Sequence, residues 1–150
     1  MRIMKLGKII HLGIVVENAE QSAAVYEGRL GIGPWEIQNA GEFFDRMNVS
    51  GGRGLKIKTA MFHGDGYEIE LIEPTGEGVY ADWLEKHGPG LHHLKFDSED
   101  RFETVVREAE EISGRPPYLD VKWPDGRPLV AYADLQKECG LLIEISPGEE

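Results

Sequence analysis

The stretch KIIHLGIVVENAE (residues 8–20) decides how the chain is read, because its pattern returns at LHHLKFDSED (residues 91–100). Each begins as a short run rich in Ile, Val, Leu or Phe, reads as a strand, and gives way to a helix start. Asn18 and Ser98 are the candidate N-caps, since a short polar side chain can accept a bond from a first-turn amide. After the first strand comes the helix AEQSAAVYEGRLG, with Ala23, Ala24, Val25, Tyr26 and Leu30 as its expected inward face. Gly31 and Gly33 end it before Pro34. Three β-like runs follow, PWEIQNA, GLKIKTAMF and YEIELIEP, parted by the turn-forming SGGRG and HGDG. After the second strand comes SEDRFETVVREAEEIS, which sets Phe102, Val105, Val106, Ala109 and Ile112 at helical spacing and stops at Gly114. YLDVKW, LVAYADL and GLLIEIS are three further strands, with PDGRP as a hairpin-type turn.

The chain therefore reads as an α+β fold of two tandem βαβββ modules forming a curved mixed sheet around a cavity. Module 1 covers about residues 6–75 and module 2 about 91–147 of a single domain, 1–150. The connector, 76–90, carries a short helix around Trp83 and Leu84. Neither module has much core of its own, so the two are expected to pair.

With 150 residues and 41% hydrophobic side chains, the chain can bury a core without staples. Its net charge of −11, and the lack of any Lys/Arg cluster, argue against nucleic acid as a partner. Cys139 stands alone, which excludes an internal disulfide and a CxxC motif and is compatible with a cytoplasmic location. It is expected to be a small buried apolar residue. MRIMKLGKIIHLGIVV has lysines inside its apolar stretch and no small-residue cleavage site, so a signal peptide is not expected; nor is a membrane span.

Superposing the modules sets His11 on His93 and Glu70 on Glu144, while His92 falls on Ile10. Strand parity separates the doubled histidine: His93 shares a face with Lys95, and His92 with Leu94 and Phe96. Two neutral imidazoles and two carboxylates suit a divalent first-row metal with open positions for water or substrate oxygens. Any one of the four alone reads as an ordinary solvated or hydrogen-bonded side chain; four at matching repeat positions point to ligation. Glu68 shares the face of Glu70 and competes with it as ligand, whereas His63 and His87 read as surface residues. In GLKIKTAMF, Lys56 and Lys58 alternate with aliphatic residues. Either one or both lysines look toward the cavity, or they form a solvated face that protects an edge. Trp35, Trp123 and Tyr132 are either pocket walls or core.

The tandem pattern with His11, Glu70, His93 and Glu144 resembles the vicinal oxygen chelate superfamily of glyoxalases, bleomycin-resistance proteins and extradiol dioxygenases. HLGIVVENAEQSAAVYEGRLG, WLEKHGPGLHH and LLIEI are most similar to methylmalonyl-CoA epimerase-like members, and GIGPWEI to glyoxalase-like sequences of that branch. The resemblance implies one divalent metal (Co, Mn, Ni or Zn), with His93 as the ligand of the HH pair. It also implies an isomerase that removes and returns the proton α to a carbonyl through a metal-stabilised enediolate. Glu144 would be both ligand and base, the substrate an acyl-CoA or other carbonyl compound, and the assembly a homodimer. Where those epimerases often carry a second carboxylate, LKIKTA has lysines, and Lys58 as a desolvated neutral amine is one substitute base; Glu68 and Glu70 are others. Two readings stand beside the epimerase: a glyoxalase I-like lyase, and a metal-free small-molecule or antibiotic-sequestering protein. The His/Glu quartet argues against the last.

Overall fold

The computed structural model describes residues 5–50 and 52–147, so Gly51 of the expected SGGRG turn and the first four residues of the N-terminal stretch lie outside it. The described residues are a mixed α+β chain that separates into two units. Among them no helix is long and apolar enough to cross a membrane.

One unit takes His11–Asp45 and Gly54–His92. Its sheet runs in the order β2 (Glu36–Gln38), β5 (Ile57–His63), β6 (Glu68–Pro74), β1 (Ile9–Val15). β1 lies parallel to β6, and β5 is antiparallel to both β6 and β2. Between β1 and β2 runs α1 (Ala19–Arg29), capped as expected by the Asn18 side chain, which accepts from the Gln21 amide at 2.9 Å. Ala19 and Ala23 of α1 bury against Val16, Ala60, Ile69 and Leu71, with Leu12, Ile14 and Phe62 at the margin. Small residues on the helix let it lie close to the sheet. Val25 and Leu30, expected inward, are instead more than half exposed at 53% and 59%. α3 (Val79–His87) forms where the connector helix was expected and buries Tyr80. A short α2 (Ala40–Phe44) was not anticipated.

The other unit contains the described residues of Met1–Ile10, Arg46–Arg53 and His93–Glu150. Its sheet order is β7 (Gly90–Phe96), β10 (Leu141–Ile145), β9 (Pro128–Leu135), β8 (Leu119–Lys122), β3 (Asn48–Val49), β4 (Gly52–Arg53). β10 is parallel to β7 and antiparallel to β9, repeating the pairing of β6 with β1 and β5. α4 (Phe102–Ser113) buries Val105 and Ala109 against Ala133, Leu135, Ile143 and Ile145. It stops at Gly114, whose φ of 71° is the left-handed conformation that favours glycine. Ser98 is not its cap: Arg101 holds that position, and the Ser98 hydroxyl accepts from the Asp100 amide and donates to the Lys5 carbonyl.

The segment after α2, which the sequence pattern left unassigned, pairs β3 with β8 (Val49 opposite Val121) and buries Met47 completely. One further expectation is corrected here. Cys139, expected inside, is exposed at the end of a short α5 (Gln136–Cys139).

Candidate metal centre

Cross-strand partners share a face of a sheet, so the register names the neighbours. Across β5, β6 and β1 the rows are His63, Glu68, His11 and then Met61, Glu70, Gly13. The alternate residues Ala60, Leu71 and Ile14 face α1, which leaves the His/Glu rows on the opposite side. His11 is 5% exposed, and its Nε2 lies 3.5 Å from Glu70 Oε1. Its Nδ1 lies 3.4 Å from Glu68 Oε1, and the other Glu68 oxygen is 2.8 Å from Nδ1 of His63.

The second unit repeats the arrangement. Glu144 stands opposite Lys95 of β7 and Tyr132 of β9, and His93 is two residues before Lys95 on the same face. Glu70 stands in the same relation to Gly13, two residues after His11. His93 is 1% exposed, its Nε2 3.1 Å from Glu144 Oε1 and its ring stacked on Tyr132 with centroids 4.4 Å apart. Lys95 Nζ approaches the other Glu144 oxygen at 3.7 Å. Ala133, Ile143 and Ile145, on the reverse face, pack on α4. His92 points away from this row and lies between Tyr80 and Trp83 of α3, at 5.2 and 5.1 Å between ring centroids.

Each unit thus carries a buried imidazole beside a carboxylate, a donor pair that could hold a metal ion. Nitrogen and oxygen donors of this kind suit zinc, manganese, cobalt or nickel. An imidazole with its nitrogen aimed at a carboxylate oxygen also fits the charge of a divalent cation, which both groups can share.

Lys58 is not brought to this face. It stands opposite Glu73, on the α1 side with Ala60, and its ammonium donates to the Glu20 carboxylate of α1. That bond, reinforced by the charges of Glu20 and Glu73 against a smaller effect of desolvation, holds Lys58 above the ordinary lysine range. A lysine kept protonated is the reverse of a neutral-amine base. The β5 residues that do share the face of Glu70 are Ile57, Thr59, Met61 and His63. Of the aromatic candidates, Tyr132 supports His93, Trp35 packs with Tyr26 and Phe62 on the helix side, and Trp123 lies under Arg127. The link between His63 and Glu68 was missed. Its signal was the HGDG turn: Gly64 donates to the Tyr67 carbonyl at 2.8 Å, so the residues flanking that turn, His63 and Glu68, must pair.

Two βαβββ units, each with a His on its first strand and a Glu on its last, define a class of proteins built by duplication of one module. The model of the glyoxalase/bleomycin resistance protein/dioxygenase superfamily matches residues 10–116, and the chain belongs to that superfamily. Among curated proteins it is 30% identical over 92 residues to the uncharacterized protein YqjC of Bacillus subtilis; the match spans 61% of this chain and 57% of that protein's length. Among solved structures, the hypothetical protein BH1468 from Bacillus halodurans is similar with a TM-score of 0.64 at 21% identity, covering 95% of this chain and 96% of the other. Methylmalonyl-CoA epimerase from Mycobacterium tuberculosis gives 0.63 at 20% identity over 99% and 93%. A Streptomyces coelicolor methylmalonyl-CoA epimerase variant in complex with 2-nitronate-propionyl-CoA gives 0.65 at 20% over 97% and 100%. These likenesses establish the fold.

Proposed function

We propose that the protein is a metal-dependent isomerase of the methylmalonyl-CoA epimerase type, acting on a 2-substituted malonyl thioester or a related acyl-CoA. The observation that carries this reading is the matched register of the two His/Glu pairs, Glu70 beside Gly13 and Glu144 beside Lys95. In it His11, Glu70, His93 and Glu144 would be the ligands of a divalent metal. When bound, such an ion supplies Lewis-acid stabilisation of the negative charge that develops as the proton α to a carbonyl leaves. Glu144 takes that proton, its carboxylate positioned by His93 on one oxygen and Lys95 on the other. Return of a proton on the other side of the carbon needs a second acid, and Glu70 is the carboxylate the repeat supplies for it. The acyl-CoA substrate class is supported by structural neighbours that are epimerases, one of them holding a propionyl-CoA analogue.

The test is solvent deuterium uptake at C2 of methylmalonyl-CoA by metal-loaded protein, followed by mass spectrometry. We expect uptake with the wild type and at least a hundredfold slower uptake with Glu144→Gln, since a positioned base contributes about 10²–10⁴-fold. No exchange by metal-loaded wild type sinks the epimerase reading. Turnover of the methylglyoxal–glutathione adduct in its place would assign the glyoxalase-type lyase.

A further inference from the structure

Glu68 sits in the middle of a three-strand row, flanked by His63 on β5 and His11 on β1. One carboxylate oxygen meets His63 Nδ1 at 2.8 Å and the other meets His11 Nδ1 at 3.4 Å, while His11 Nε2 faces Glu70 at 3.5 Å. A carboxylate only accepts, so a neutral His11 that donates to Glu68 has its proton on Nδ1 and its lone pair on Nε2, whereas donation to Glu70 would reverse the two. Nε2 is the nitrogen a metal would take. His63 is 61% exposed at its side chain and Glu68 40%, so neither is held by core packing; the paired register across the Gly64–Tyr67 turn holds them instead. The second unit has no such device on β10, where the equivalent position is Leu142, two residues before Glu144. There Tyr132 supports the ring by stacking.

We propose that Glu68, tethered by His63, is a positioning residue that fixes His11 in the Nδ1–H tautomer with Nε2 presented as a metal ligand. The proposal rests on the reading of His11 as a ligand and assigns Glu68 to the hydrogen-bonding shell behind it. Outer partners of this kind typically change metal affinity about 10–100-fold when removed.

The experiment uses tag-free, chelator-stripped full-length wild type, Glu68→Ala, Glu68→Gln and His63→Ala. Histidine tautomers are read by long-range 1H–15N correlation in the metal-free proteins, and Co2+ affinity by competition with a chromophoric chelator. His11 should be the Nδ1–H tautomer in the wild type. Co2+ affinity should fall about 10–100-fold in Glu68→Ala, fall less in His63→Ala, and be largely restored in Glu68→Gln, whose amide oxygen still accepts from Nδ1–H. An Nε2–H tautomer for His11 in the wild type overturns the proposal. So does unchanged Co2+ affinity in Glu68→Ala, and so does a Glu68→Gln variant as impaired as Glu68→Ala, which would make Glu68 itself a ligand. Wild-type affinity in His63→Ala removes the tether. If the wild type binds no Co2+, the metal reading fails, and the His11 tautomer alone still decides the role of Glu68.

Discussion

A shift of one position along β5 separates Lys58 from the face that carries Met61 and Glu70, and with it a structural lysine from a catalytic one. Lys58→Met should leave Co2+ binding and deuterium exchange at wild-type levels, because the lost partner is Glu20 on the helix side. Loss of exchange in a folded Lys58→Met protein would return the lysine to the chemistry. Lys58→Glu adds a carboxylate beside Glu20 and Glu73, and should lower the unfolding midpoint without raising exchange. The sequence could match His11 to His93 and Glu70 to Glu144 because a repeat supplies its own control: each residue is checked by its twin. The lysines had no twin. Their face depended on which alternate set of β5 packs on α1, and both sets are buried, Ile57 and Thr59 at 3% and 2% on one side and Ala60 at 0% on the other. When both faces of a strand are covered, alternation shows the period and hides its phase.

Among the elements, those with chemical end signals were legible and the short ones were not. Asn18 announces α1, and Asn18→Ala should cost about 1 kcal/mol in urea unfolding, because the Gln21 amide loses its acceptor. Ser98 carries the same signal and spends it on a turn, with the Asp100 amide as its partner. α2, β3, β4 and α5 have two to five residues each, too few for a hydrophobic period to emerge. α5 is nonetheless anchored: Arg115, just past α4, donates to both oxygens of Glu138 at 2.5 and 3.2 Å. That bond holds the Glu138 carboxyl below its ordinary range. A depressed native pKa means the contribution is complete above the unfolded carboxylate value and is lost as pH falls through the native one. The difference in unfolding midpoint between wild type and Glu138→Gln should therefore be present at neutral pH and close in acid. A constant difference from neutral pH down to about pH 2, below both carboxylate values, would show that the pair acts through packing alone.

For the molecule as a whole, bound metal and stability are linked, because an ion that binds only the folded chain stabilises it by about 2.7 kcal/mol at one hundred times its Kd. Adding a chelator should lower the wild-type unfolding midpoint, and His93→Ala should show no such drop. An equal midpoint with and without chelator in the wild type would count against a resident metal. One feature of the architecture reaches beyond stability. The unit built on β7–β10 also takes β3 and β4, which come from the first half of the chain, and β3 pairs with β8. On a ribosome, that hairpin emerges long before β8 exists and must wait for it, so a strand of the second half completes a contact opened by one of the first. Cutting the gene at the repeat boundary would thus leave each product with an orphaned strand edge, open to association with other chains. The duplication visible in the sequence no longer marks a place where this protein can be divided.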